Sequence, residues 1–214
     1  MTVPPADATP MLQGILFILS GPSGVGKDTL LRQALPRLGN IRTSISVTTR
    51  LPRSGERDGI DYFFVTPEEF LQRLEADDFL EHADVVGNCY GTPRSWVLEQ
   101  LRAGTDVVLE IDVQGALQVA SVFPQAILIF LAPPSWDELS RRLRARKTED
   151  AATVQRRLDN ARHELAHIGQ YHYLVVNDRL LEAADRLAAI VTAERCRPFR
   201  QDLRALRHGE ESDV

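Results

Sequence analysis

Residues 15–27 read ILFILSGPSGVGK, five apolar residues without interruption and then a turn with three glycines closed by a lysine. An unbroken apolar run of this kind suits a strand buried on both faces of a parallel sheet. Helical spacing resumes at Leu30, Leu31, Ala34 and Leu35 and stops before Pro36, so strand, loop and helix follow one another directly. GPSGVGK fits the pattern GxxxxGK in the setting that gives it meaning, after a buried strand and before a helix. The glycines let the backbone wrap a phosphate, the amide N–H groups and the helix N-terminus face the anion, and Lys27 reaches the β- and γ-phosphates. Gly21, Pro22, Ser23, Gly24, Val25, Gly26 and Lys27 therefore form the candidate ATP loop, with Asp28 and Thr29 continuing it. Asp28 stands where such loops usually carry Ser or Thr. Either its carboxylate ligates Mg²⁺, or it turns away and leaves Thr29 to contact phosphate or a metal-bound water; the sequence leaves both open.

The rest of the chain extends this start into an α/β protein. Val107–Ile111, Ala126–Leu131 and Tyr173–Val176 are further buried-strand candidates, each followed by a helical or turn segment. That alternation predicts a parallel sheet flanked by helices, with active groups at the carboxyl ends of the strands. Between the first two strands, Ser44–Thr105 holds short strand-like runs (SISVT, DYFFV) and helical patches (PEEFLQRLEADDF, SWVLEQLRAG), which read as an inserted lobe over about residues 46–105. Ser135–Gly169 is polar, helical in pattern and carries seven arginines, with a lid expected over about 137–169. Most of those arginines are expected on a solvated helical face. Leu180–Arg195 predicts a final amphipathic helix. Residues 1–13 are expected to be a disordered N-terminus, 14–208 one domain and 209–214 a mobile tail.

Composition narrows the functional classes. With 43% apolar and 26% charged residues over 214 positions, the chain supports one compact core and excludes a disordered or collagen-like protein. Ala126–Pro134, the longest uncharged apolar stretch, is far short of the roughly 20 residues a membrane span needs. The opening MTVPPADATP shows no basic and then apolar leader, so a cytoplasmic protein is expected. Cys89 and Cys196 are too few for a disulfide framework or a thiolate zinc site. A net charge of −5 argues against unspecific affinity for nucleic acid. Of the 25 basic residues only Lys27 and Lys147 are lysines, which draws attention to Lys27.

Three ordered segments beside the loop, TTRLPRSGERDGIDYFFV (48–65), FLEHADVVGNCYGT (79–92) and LEIDVQGA (109–116), resemble the signature segments of the guanylate kinases, and the likeness runs from about Ile15 to about Phe199. The resemblance implies a P-loop kinase fold, ATP and GMP as partners with dGMP left open, and Mg²⁺ entering with ATP. Arg50, Arg53 and Tyr62 suit a monophosphate dianion through paired guanidinium forks and a phenol. By resemblance Tyr90 joins them, while Ser46, Glu81 and Thr92 line the base pocket. A carboxylate at Glu81 accepts from guanine N1–H and the exocyclic amine, a donor pair that adenine does not offer. Asp112, at the carboxyl end of the second strand, is expected to approach Mg²⁺ through water, and Glu110 is expected on the same side of that strand; the resemblance places both Glu110 and Asp112 near GMP and the metal, and for one of the two a helix cap is the alternative role. RRLRARKTED resembles the family's lid, with Arg142, Arg146 and Arg157 as the phosphate-facing arginines and Lys147 where members often carry glycine. Asn177 matches an asparagine on the adenine side of the site.

Three competing signals remain. His163, Glu164 and His167 spell HELAH, the HExxH pattern of zinc hydrolases, but no third ligand at suitable spacing accompanies it, and a plain helix is the stronger reading. GKDT also resembles the loop of ribose bisphosphate kinases, which need no guanine pocket. A non-catalytic guanylate-kinase-like module that binds phosphorylated peptides is the third; such modules have degraded ATP loops, whereas this loop is intact.

Overall fold

The structure, a computed structural model, describes residues 14–85, 87–145 and 151–201. The expected disordered N-terminus and mobile tail lie outside those residues, as do Arg146 and Lys147.

In chain order the elements are β1 (Leu16–Ser20), α1 (Lys27–Ala34), β2 (Ile41–Thr43), β3 (Val47–Thr48), β4 (Phe63–Phe64), α2 (Pro67–Glu75), β5 (Phe79–Val85), β6 (Asn88–Pro93), α3 (Arg94–Arg102), β7 (Asp106–Glu110), α4 (Val113–Val122), β8 (Ile127–Ala132), α5 (Trp136–Arg144), α6 (Ala151–Ala166), β9 (Tyr173–Val176) and α7 (Leu180–Arg195). Five strands form the central sheet in the order β2-β7-β1-β8-β9, every pair parallel. β1 lies in the middle, and all five of its residues are buried. Its side chains alternate between two cores: Phe17 and Leu19 pack with α1 and α7 residues such as Leu30, Leu31 and Leu187, while Leu16 and Ile18 pack with α3 and α4 residues such as Val97, Leu101 and Val119. Burial on both faces explains the continuous apolar run, because a strand with one wet face would alternate.

The second sheet, in the order β4-β3-β6-β5, is mixed: β3 pairs parallel with β4 and antiparallel with β6, and β5 and β6 form an antiparallel ladder. Its small core joins Val47, Phe70 and Phe79, the two rings stacked at 4.6 Å. α2 enters this lobe through a capping box in which Thr66 and Glu69 satisfy one another's amides. The helix SWVLEQLRAG, expected with the lobe, turns its apolar side to the central sheet through Val97 and Leu101.

Two strands of the central sheet end at the site. β1 ends at Ser20 before the glycine loop, and β7 ends at Glu110. Asp112 lies beyond β7 as the N-cap of α4, so the same-side alternation expected for Glu110 and Asp112 on one strand does not extend to Asp112.

Candidate active site

The loop after β1 runs in conformations that only glycine adopts easily. Gly21 has φ +146° and Gly26 φ +97°, and a Cβ at these positions would lie 2.2 Å from the Leu131 carbonyl oxygen and 2.8 Å from Asn177 Nδ2. The loop is thus pressed against β8 on one side and against the residue after β9 on the other. Lys27 is the first residue of α1, and its ammonium folds back to donate to the Gly21 carbonyl at 2.7 Å. The loop thus leads into the N-terminus of α1, the positive end of a helix and one suited to an anion. Asp28 turns outward to accept from Arg32 Nε at 2.8 Å, both side chains exposed. Thr29 is also exposed.

Residues of α5 and α6 meet the loop from the other side. Arg142 donates to the carbonyls of Val25 and Asn177, each at 3.2 Å, and its Nε donates to Glu138 at 2.7 Å. Glu138 also accepts from Arg141, and these two guanidinium partners hold its carboxyl down at about 2. It therefore stays ionised and fixes the fork of Arg142. Arg157, on α6, donates to Ser23 Oγ at 2.9 Å. Asn177 is buried and grips the loop with an amide hydrogen bond to the Val25 carbonyl at 2.8 Å. In this structure its side chain supports the loop's backbone.

In the lobe, Arg50 is the organising cation. Nε donates to Tyr90 Oη at 3.2 Å, Nη1 to the Leu51 carbonyl at 2.7 Å and Nη2 to Glu56 at 2.9 Å. The guanidinium carbon lies 5.4 Å from the Tyr62 ring centre and 5.8 Å from that of Phe64, and the Tyr62 and Tyr90 rings meet edge-on at 6.0 Å. Arg50, Tyr62 and Tyr90 are thus one cluster. Arg53 is exposed, and its backbone amide donates to the second oxygen of Glu56 at 2.7 Å. Glu56 was not among the residues singled out by sequence. The Ser-Gly pair before it signals a turn, and Gly55 at φ +90° with the Glu56 amide bonded to the Arg53 carbonyl is that turn.

Glu81 and Thr92 face one another across β5 and β6. The Thr92 hydroxyl donates to Glu81 Oε1 at 2.6 Å, and both side chains are buried. Burial pushes the Glu81 carboxyl up to about 7; the bond from Thr92 opposes the shift and the negative charge of Asp112 adds to it. A Cβ on Gly115, in the first turn of α4, would fall 2.8 Å from Glu81 Oε2. Ser46, half-buried, accepts from the Phe63 amide through its carbonyl at 2.9 Å.

Asp112 caps α4 by accepting from the Gly115 amide at 2.8 Å. Its charge is felt by Glu81 in the lobe and by Glu164 on α6. Glu110 is held above its ordinary range by burial, against the pull of Lys27. Of the HELAH residues, His167 Nδ1 is hydrogen-bonded to Gln170 Nε2 at 2.9 Å, and among the described residues no three His, Cys, Asp or Glu side chains are grouped closely enough to hold a metal ion.

With this geometry in view, the comparisons with known proteins converge. A family profile described as guanylate kinase matches residues 13–194. The guanylate kinase of Desulfitobacterium hafniense is 49% identical over 188 residues, 88% of this chain and 94% of that protein. That of Oceanobacillus iheyensis is 50% identical over 85% of this chain and 88% of its own length. The crystal structure of the guanylate kinase from Anaplasma phagocytophilum superposes with a TM-score of 0.74 at 38% identity, covering 92% of this chain and 95% of that one.

Proposed function

Because the chain belongs to the guanylate kinase family, we propose that it transfers the γ-phosphoryl group of ATP to the phosphate of GMP, giving ADP and GDP reversibly. The observation that carries this reading is the position of Asp112. Added to burial, its charge raises the carboxyl of Glu81 on the lobe side, and the Gly115 that it caps lies against that carboxylate; on the other side the same charge adds to the burial that raises Glu164, which also feels Lys27. The residues assigned here to the base and those of the glycine loop therefore meet at the start of α4, which supports transfer between two nucleotides.

The acceptor phosphate is ionised at neutral pH, so no strong base is needed and catalysis rests on alignment and charge cancellation. Arg50 and Arg53, steadied by Glu56, hold the acceptor phosphate with Tyr62 and Tyr90. Lys27 leaves the Gly21 carbonyl for the β- and γ-phosphates, and Arg142 and Arg157 turn from Val25 and Ser23 to the transferred group. Arg146 joins them by family resemblance. Glu81, with Thr92 and Ser46, accepts from guanine. The carboxylate of Glu110, which feels the charge of Lys27, and that of Asp112 at the start of α4 offer oxygen donors, which would suit Mg²⁺ held mainly by phosphates and waters. Asp112 would hold it through water with the carboxylate oxygen not used for capping; Asp28 or Thr29 is the second candidate. When bound, Mg²⁺ cancels charge on the phosphate oxygens. The proposal includes a cytoplasmic role in purine nucleotide metabolism; no helix among the described residues is long and apolar enough to cross a membrane.

An ADP-release assay with GMP, AMP and a ribose bisphosphate as acceptors tests the reading. Turnover with GMP well above the others is the expected result. Preference for another acceptor, or no turnover at all, would overturn it.

A further inference from the structure

β3, an inner strand of the lobe sheet, is two residues long, and its last residue is Thr48. Thr48 is completely buried. It pairs with Tyr90 on β6 and with Phe64 on β4, so two of the aromatic residues that touch the Arg50 guanidinium stand on either side of it across the sheet. Its hydroxyl is used twice. It accepts from the Arg50 amide at 3.1 Å and donates to the Cys89 carbonyl at 3.0 Å. The first bond closes the turn that a threonine side chain makes with the amide two residues on. The second ties that turn to β6, one residue before Tyr90.

With Arg50 Nε donating to Tyr90 Oη at 3.2 Å, the contacts close a ring that runs from Thr48 through Arg50, Tyr90 and Cys89 back to Thr48. Thr49 braces the same ladder, its hydroxyl accepting from the Cys89 amide at 2.9 Å and its amide donating to the Cys89 carbonyl at 3.0 Å. Strand formation asks for no hydroxyl at position 48, since valine has the same shape and suits a strand as well. A buried hydroxyl is costly unless it is bonded, and both of its bonds here serve the point at which Arg50 leaves the sheet. We propose that Thr48 is a positioning residue for the acceptor phosphate, its hydroxyl setting the direction in which Arg50 and Tyr90 present their polar ends. This rests on Arg50 and Tyr90 holding that phosphate and adds to it the group that aligns them, where a small misplacement is expensive.

The test is steady-state kinetics of the full chain with GMP and ATP varied in turn. T48V keeps the shape and removes both bonds. It is expected to raise the KM for GMP about tenfold, the scale of two neutral hydrogen bonds lost, and to leave the KM for ATP within about twofold. T48S restores the hydroxyl and should bring the KM for GMP back to within about twofold of the wild type. Y90F removes the partner of Arg50 Nε; because both residues act through Arg50, T48V and Y90F combined should fall short of the product of their single effects. T48A, also without the hydroxyl, takes the place of T48V if the valine variant does not fold. An unchanged KM for GMP in the variants without the hydroxyl overturns the proposal. So do equal rises in both KM values, a T48S as impaired as T48V, or full additivity with Y90F, each of which marks Thr48 as structural only. R50A separates the premises: if it leaves the KM for GMP unaltered, the acceptor-site reading has failed rather than the role of Thr48.

Discussion

Glu56 holds Arg50 by its guanidinium and Arg53 by its backbone, one carboxylate oxygen on each, at 2.9 and 2.7 Å. Only 13% of the Arg50 side chain and 20% of that of Glu56 are exposed, so the pair is better shielded than an ordinary surface ion pair. Arg50 in turn raises its hold on the carboxyl, which is kept below its ordinary range. The carboxylate therefore orders the Arg50 guanidinium and the Arg53 backbone, the two residues proposed to hold the acceptor phosphate.

Removing that support should cost the acceptor and spare the donor. Glu56→Ala is expected to raise the KM for GMP about tenfold, the scale of a lost charged hydrogen bond that is partly screened, with the KM for ATP within twofold. Glu56→Gln retains an acceptor for Arg50 Nη2 and should recover part of the loss. Equal rises in both KM values would mean that Glu56 serves the whole fold and not the clamp.

Glu81 gives the site opposing pH dependences. Its carboxyl is raised to about 7, above the value near 4.5 in an unfolded chain. Its contribution to stability is thus fully present below about pH 4.5 and is lost as the pH rises through about 7. On the proposed role the guanine is held by the carboxylate form, so GMP affinity should fall as the pH drops below 7. Glu81→Gln should remove that fall and narrow the preference for guanine over adenine. Titrating GMP binding between pH 5.5 and 8 in both proteins cancels the phosphate's own ionisation, and parallel curves would refute the role. Glu164, also raised to about 7, adds to the stability slope, so the variant should flatten only part of it.

How much of this was legible in the sequence depended on what each residue's partner was. β1, β8 and α7 could be read because burial on both faces, or along one helical stripe, leaves a periodic trace. β2 has only three residues, none of them buried, and a short edge strand leaves none. β5 was not read as a strand: Phe79, Leu80 and Glu81 are all buried in succession, and a buried carboxylate breaks the alternation that marks a half-buried strand. The loop from Gly21 to Lys27 could be read because its chemistry is local. Glu56 and Gly115 could not, because the first acts through a turn and the second through a helix from another part of the chain.

Asn177 gives a prediction on the donor side. Its amide bond to Val25 is buried, and the same carbonyl accepts from Arg142. Asn177→Ala should lower stability by about 1–3 kcal/mol, the cost of depriving a buried polar group of a partner. It should also raise the KM for ATP more than that for GMP. Asn177→Asp sets a carboxylate against the Val25 carbonyl and should be worse than Ala. Thermal melts with kinetics in both substrates decide it; unchanged ATP binding in a destabilised Ala variant would restrict Asn177 to stability.

Gly115 offers the most local test of the guanine pocket. It is buried in the first turn of α4, where alanine is the better helix former by about 1 kcal/mol. Propensity alone therefore favours Gly115→Ala. The space does not, because the added Cβ would meet Glu81 Oε2 at 2.8 Å and the carboxyl carbon at 3.2 Å. That carboxylate is held on its far side by Thr92 at 2.6 Å, so the contact is relieved by breaking this bond or by shifting α4 at the Asp112 cap. Either movement disturbs the base pocket. The KM for GMP should rise at least tenfold, about 1.4 kcal/mol, while the melting temperature changes little, since the gain in helix propensity offsets part of the crowding. Gly115→Ala combined with Thr92→Val frees Glu81 to move and should recover stability without recovering guanine selectivity. GMP kinetics at the wild-type level in the single variant would show that Glu81 does not bind the base from this position.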